Sequence, residues 1–182
     1  MRVIGGMFRS RRLKSMPGMA TRPTPDRLRE TLFDILSLRI AGAVFLDAYA
    51  GTGAVGIEAL SRGARHVFFV ERSRAAVEVI RENLTELAIE SQATLVTGAV
   101  LPAVDRYAAD ILFADPPYDR EQEYGALLAR VSECPPALLI VQHSIHLELP
   151  AVQGKIERTR LVRQGDNSLT FYAPLSTGVE RT

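Results

Sequence analysis

Apolar residues fall along this chain in short runs separated by amphipathic stretches. Residues 44–49 and 66–71 are apolar runs that end in a turn or an acid, as strands buried on both faces of a parallel sheet do. Between them, Val55, Ile57, Ala59 and Leu60 predict a helix that stops at Gly63. After Ser73, a favoured N-cap type, Val77, Ile80, Leu84 and Leu87 recur at steps of three and four and place one apolar stripe on a second helix. Residues 95–97, 110–114 and 138–142 predict further strands, with helical connections near Ala103 and Ala126. This alternation predicts an α/β fold whose parallel sheet is covered on both faces and joined by right-handed crossovers. Residues 155–163 and 168–173 flank Gln164-Gly165-Asp166-Asn167, a spacer too short for a helix, so an antiparallel hairpin is predicted to close the sheet. Upstream, Thr24 as N-cap and Pro25 at the first helical position open a helix carrying Leu28, Leu32, Phe33, Ile35 and Leu36. The expected organisation is an N-terminal extension over residues 1–23, one domain over 24–174 and a disordered tail over 175–182.

With 182 residues, 47% hydrophobic and 24% charged, the chain has the composition of a single globular domain. No apolar run approaches the roughly 18 residues of a membrane span, and the N-terminus lacks the apolar stretch of a signal peptide. Cys134 is the only cysteine, so no intrachain disulfide forms, and a cytoplasmic protein without membrane contact is expected. The formal net charge of +1 speaks against a nucleic-acid partner only if it is evenly spread. It is not: residues 1–30 hold eight basic and two acidic side chains, whereas the remaining 152 hold 14 basic and 19 acidic. A basic arm on an acidic body points to a polyanion met by the arm, with Arg9, Arg11, Arg12, Lys14 and Arg22 as candidate phosphate contacts.

Two segments carry the chemistry. In Leu46-Asp47-Ala48-Tyr49-Ala50-Gly51-Thr52-Gly53-Ala54-Val55-Gly56, the three glycines satisfy G-x-G-x-x-G at a strand-to-helix crossing, where a backbone turns tightly against a ligand. A dinucleotide and plain turn glycines both fit that pattern. Glu71, 20 residues after Gly51, suits the ribose hydroxyls of any adenosine cofactor. Asp47 discriminates, because its charge beside the loop repels a pyrophosphate and attracts a sulfonium or ammonium; the alternative, a carboxylate capping loop amides, is compatible with that role. The second segment, Asp115-Pro116-Pro117-Tyr118, ends the fourth strand. A base's exocyclic amine is a poor nucleophile because its lone pair is delocalised into the ring. The Asp115 carboxylate and Pro116 carbonyl can accept its hydrogens and free that lone pair, the two prolines stiffen the loop, and Tyr118 offers a stacking face. His143 and His146 lack a third ligand at metal spacing and His66 stands alone, so no metal is expected.

These residues resemble the RsmD-type guanine-N2 methyltransferases of small-subunit (16S) rRNA. The likeness runs from Arg2 to about Tyr172 and includes Val3-Ile4-Gly5-Gly6, the basic 9–13 block, Thr21-Arg22-Pro23-Thr24, the 45–64 stretch, Val70-Glu71, Asp115-Pro116-Pro117-Tyr118 and Gly165-Asp166. The resemblance implies a class I S-adenosylmethionine-dependent methyltransferase (Rossmann-like) fold with seven strands, one antiparallel. It further implies S-adenosylmethionine as donor and a guanine N2 of small-subunit rRNA, presented on an assembling ribosomal particle, as acceptor; a monomer is expected. The cofactor contacts it implies are Asp47, Gly51, Gly53 and Glu71, to which Tyr49 and Ala50 in the turn, Arg72 beside Glu71, and Ala99 are added as candidates. Residues 97–100 hold no acid where many relatives have one near the adenine, which leaves backbone or apolar contacts there, and Gln142 stands where an acid is expected. Two other readings remain open at this point: an N6-adenine DNA or RNA methyltransferase, which shares Asp-Pro-Pro-Tyr, and a catalytically silent RNA-binding assembly factor.

Overall fold

The computed structural model describes residues 1–16 and 25–176. Each predicted apolar run becomes a strand of one sheet: β1 (Val44–Ala48), β2 (His66–Glu71), β3 (Ala93–Thr97), β4 (Ile111–Ala114) and β5 (Leu138–Ser144) are mutually parallel. The hairpin follows as β7 (Ile156–Gln164) and β8 (Asn167–Pro174), with β8 antiparallel to β5. Against the seven strands expected, the sheet has eight, in the order β3-β2-β1-β4-β5-β8-β7-β6. The eighth, β6 (Val152–Gln153), is two residues paired antiparallel to the start of β7, too short to leave a periodic signal.

Both sheet faces are covered because the parallel strands are apolar on both sides over most of their length. On one face α1 (Asp26–Ile35), α2 (Ala54–Ser61) and α3 (Arg74–Leu87) bury Leu32, Phe33, Ile57 and Ile80 against Phe45, Val67 and Phe69. On the other, α4 (Val100–Arg106) and α5 (Glu121–Val131) bury Val100, Tyr124 and Leu127 against Leu46, Leu112 and Val141. Ser73 caps α3 as expected, its Oγ accepting from the Ala76 N–H at 3.3 Å. At α1 the cap falls on Pro25, the residue expected at the first helical position and one later than the expected cap, and Thr24 lies outside the described residues. At the other terminus the Leu175 N–H still donates to Lys155 O, and residues 177–182 lie outside the described residues.

The N-terminal arm is built into the domain. Residues 1–13 fold back on themselves, Val3 N–H donating to Arg11 O and Leu13 N–H to Met1 O, and bury Val3 and Leu13 in the core. One carboxylate fastens it: Glu58 of α2 accepts from the Ile4 N–H at 2.8 Å, the Gly5 N–H at 2.7 Å and Arg62 Nε at 2.8 Å. Gly6 sits at φ +75°, and a Cβ there would lie 1.9 Å from Ser61 O, so only glycine lets the arm lie this close to α2. Arg29, counted above within the basic arm, is fully buried and donates to Arg2 O at 2.7 Å, so its charge holds the arm down and is withheld from solvent.

Candidate active site

Strand order reverses between β1 and β4, and in an open α/β sheet that switch point forms a crevice at the carboxyl ends of the strands. Asp47 of β1 pairs in register with Phe113, and the Asp115 N–H follows β4 to donate to Ala48 O. Both acids therefore line the same cavity, of about 900 Å³.

Its first wall is the glycine loop. Asp47 is buried and its Oδ2 accepts from the Gly56 N–H at 2.8 Å, so it caps the loop while still facing the cavity. Burial pushes its carboxyl up to about 7, opposed by that hydrogen bond and aided by the charge of Glu71. Glu71 accepts from the Gly51 N–H at 2.8 Å and the Ser73 N–H at 2.8 Å, which locks the β1 turn to the end of β2. A Cβ on Gly56 would lie 2.2 Å from a Phe69 ring carbon, so the third glycine of the pattern serves helix–sheet packing. Gly56→Ala is expected to destabilise the fold by about 1–3 kcal/mol through overpacking, read by denaturant unfolding.

The second wall is Asp115 to Tyr118. Gln142, next in register after the Ala114–Val141 pair, donates its Nε2–H to Asp115 Oδ2 at 3.1 Å. Burial, and then the charge of Asp47, push the Asp115 carboxyl up to about 8. Pro116 O accepts the Tyr124 hydroxyl hydrogen at 2.8 Å, and the Tyr118 hydroxyl donates to Asn167 Oδ1 at 2.6 Å. Loop and ring are thus braced from α5 and β8. The third wall is the arm: Met1, Ser15 and Met16 line the cavity opposite these residues. Lys14 N–H donates to Asn83 Oδ1 at 2.8 Å and positions that segment.

Comparisons with known proteins agree with this geometry. The chain is 34% identical over 181 residues to the Bacillus subtilis protein named "Putative rRNA methyltransferase YlbH", covering 94% of this chain and 98% of that one. It is 35% identical over 155 residues to the Ribosomal RNA small subunit methyltransferase D of Escherichia coli K12, covering 83% and 78%. The solved structure described as "Putative methyltransferase yhhF from Escherichia coli" superposes with a TM-score of 0.83 at 31% identity, covering 96% of this chain and 97% of that one. A family model described as Conserved hypothetical protein 95 matches residues 1–173. The chain belongs to this family.

The RsmD-type resemblance and the class I methyltransferase fold expected from the motifs are those found. Asp115, Pro116, Pro117 and Tyr118 all line the cavity, as do Asp47, Tyr49, Ala50, Gly51, Glu71 and Arg72. Gly53 and Ala99 do not. Gly53 is the N-cap of α2 and packs toward Ile80, and Ala99 is exposed while its neighbours Gly98 and Val100 line the cavity. Arg9, Arg11, Arg12 and Lys14 are exposed on the docked arm, where Lys14 Nζ lies 3.0 Å from Glu82 and Arg11 donates to Glu86 O; Arg22 lies outside the described residues. His143 is engaged at both ring nitrogens, by Ser144 O and Thr170 Oγ1 at 2.8 Å each, and burial holds it below the ordinary imidazole range. Among the described residues no helix is long and apolar enough to cross a membrane.

Proposed function

We propose that the chain is an S-adenosylmethionine-dependent rRNA methyltransferase whose acceptor is the exocyclic N2 of a guanine in small-subunit rRNA, presented on an assembling particle. The observation that carries this reading is the pair Asp47 and Asp115. Both carboxyls face one cavity at the switch point, and among the described residues neither has a cationic partner. Such a cavity rejects a pyrophosphate and suits a ligand bearing sulfonium and ammonium charges beside an adenosine. Asp47, the Gly51 turn and Glu71 would hold that cofactor, since each Glu71 oxygen spends one lone pair on a backbone N–H and keeps another for a ribose hydroxyl. When bound, it supplies a methyl group on a positively charged sulfur.

The rest is done by the chain's own side chains. Gln142 occupies Asp115 Oδ2, which leaves Oδ1 to accept an amine hydrogen. Tyr124 takes one lone pair of Pro116 O, which leaves the second for the other amine hydrogen. Tyr118, held by Asn167, presents its ring to the base, a contact worth about 1–3 kcal/mol. With a carboxyl raised to about 8, Asp115 can also hold the proton that the amine gives up.

Asp115 must be ionised to accept, so kcat/KM is expected to fall as pH drops below about 8. Gln142→Glu puts a further acid beside Asp115, and the acid limb of the pH–rate profile is expected to move up by about one unit; an unmoved limb means that another group controls it. Alanine at Arg9, Arg11 or Arg12 is expected to reduce the slope of log affinity for rRNA against log salt by roughly 0.7–0.9 each. Unchanged slopes would take the arm out of the RNA contact. The proposal as a whole is tested by incubating the protein with labelled S-adenosylmethionine and small subunits lacking the modification, then digesting the RNA. Label in N2-methylguanosine supports it, label in N6-methyladenosine overturns the base assignment, and no transfer beside a working control overturns the activity.

A further inference from the structure

A second cavity, of about 190 Å³, lies behind the active-site wall, between the β5–β8–β7 face and the loop over residues 145–149. We propose that it is a binding site for a phosphate group. Three features of the chain converge there. In a regular strand Arg158 and Arg163, five residues apart, would point to opposite faces. The irregularity between Arg158 and Arg160 inserts one residue into β7 and restores both arginines to one face, opposite Tyr172 and Ser168 respectively. Both line the cavity. Second, Ser168 is 1% exposed, lines the same cavity, and its Oγ has no hydrogen-bond partner among the described residues. A buried hydroxyl without a partner is uncommon in a folded protein, and a phosphate oxygen would supply the missing acceptor. Third, the charge is right: Glu148 also lines the cavity, but burial holds the His143 ring below the ordinary imidazole range, so the lining carries two guanidiniums against one carboxylate.

Position indicates where the phosphate comes from. Asn167, which holds Tyr118 in the active site, and Ser168, which lines the second cavity, are adjacent on β8, as Gln142 and His143 are on β5. The two cavities sit on opposite faces of the same strand ends. The two cavities thus share the strand ends over which a nucleotide strand delivering its base to the first would lie, and a backbone phosphate is the source we favour; this assignment rests on the proposed RNA substrate, whereas the phosphate site itself does not.

The test has two arms on the full chain. Inorganic phosphate is titrated into 15N-labelled protein, and saturable shifts of the Ser168 and His143 amides are expected, lost in Arg163→Ala and in Ser168→Ala. Ser168→Ala is expected to keep the wild-type Tm or raise it, because its hydroxyl makes no hydrogen bond to lose. In the second arm, Arg163→Ala is expected to weaken binding of a small-subunit rRNA fragment several-fold and to lower the salt slope by roughly 0.9, with cofactor affinity unchanged. Phosphate shifts with an altered slope support the proposal in full. Shifts with an unaltered slope support the site and overturn RNA as its ligand in favour of a free phosphate compound. Absence of shifts overturns the site. Failure of methyl transfer in the wild-type protein would overturn the proposed function and leave the phosphate titration standing.

Discussion

Asp115→Asn is expected to lower methyl transfer by roughly 10²- to 10⁴-fold while cofactor affinity stays within a few-fold of wild type. The amide is nearly isosteric but carries no charge and cannot hold a proton, whereas Asp47 and Glu71, the cofactor contacts proposed above, stay in the cavity wall. The same substitution has an opposite effect on stability. Asp115 titrates near 8 in the folded chain and near the ordinary 3.9 when unfolded, so between those values the folded state binds the extra proton. Its contribution is fully present below about pH 4, declines as pH rises and is gone above about pH 8. Relative to wild type, Asp115→Asn is therefore expected to be more stable at pH 9 than at pH 5, read by denaturant unfolding at both. Transfer retained within ten-fold of wild type would remove Asp115 from the amine-accepting role. A relative stability independent of pH would show that its carboxyl is not strained by the folded state. A residue that costs stability at working pH and supplies the chemistry is the trade expected of an active site.

What the sequence made legible, and what it did not, divides along a physical line. The strands of the parallel sheet, the glycine turn and Asp115 to Tyr118 are local patterns, each readable within a dozen residues, and their meeting follows from the handedness of crossovers and the switch point. Gln142, Tyr124 and Asn167 are contacts made at a distance. Gln142 touches Asp115 through the β4–β5 register and Asn167 touches Tyr118 through the β5–β8 pairing; Tyr124 and Asn167 read within their own segments as ordinary helix and turn residues, and Gln142 stands out only as an amide where an acid is expected, with nothing local to name its partner. Charge was legible in the same limited way. Blocks of net charge located the arm, but Arg29 within it is buried against Arg2 O, while Arg158 and Arg163, in a body that is acidic overall, share a face only because of an irregularity no periodicity announces.

Glu58→Ala is expected to destabilise the chain by about 3–5 kcal/mol, lowering Tm by roughly 10 °C, and to loosen the arm from the domain. The carboxylate is buried and accepts from Ile4 N–H, Gly5 N–H and Arg62 Nε, while Arg29 Nε stands 3.8 Å away and neither Nε nor Nη1 of Arg29 has a hydrogen bond among the described residues. Removing it leaves two backbone donors without their acceptor and leaves the buried Arg29 guanidinium with one carboxylate, the half-exposed Asp26 at 3.0 Å, which is the costly way to break an ion pair. Function is expected to follow the arm. Met1, Ser15 and Met16 form part of the wall of the cavity proposed to hold the cofactor, and Arg9, Arg11 and Arg12 are presented on the same docked segment, so cofactor affinity and rRNA affinity are expected to fall together. Trypsin should then cut at Arg9 to Arg12 well before the rest of the domain. Lys14→Ala is the control, because its pair with Glu82 is half-exposed on both sides, where solvent screening leaves an ion pair little weight. If Glu58→Ala lost stability but trypsin cut the arm no faster than in wild type, burial of Val3 and Leu13 alone would hold the arm, and the carboxylate would be a support for α1 and α2 only.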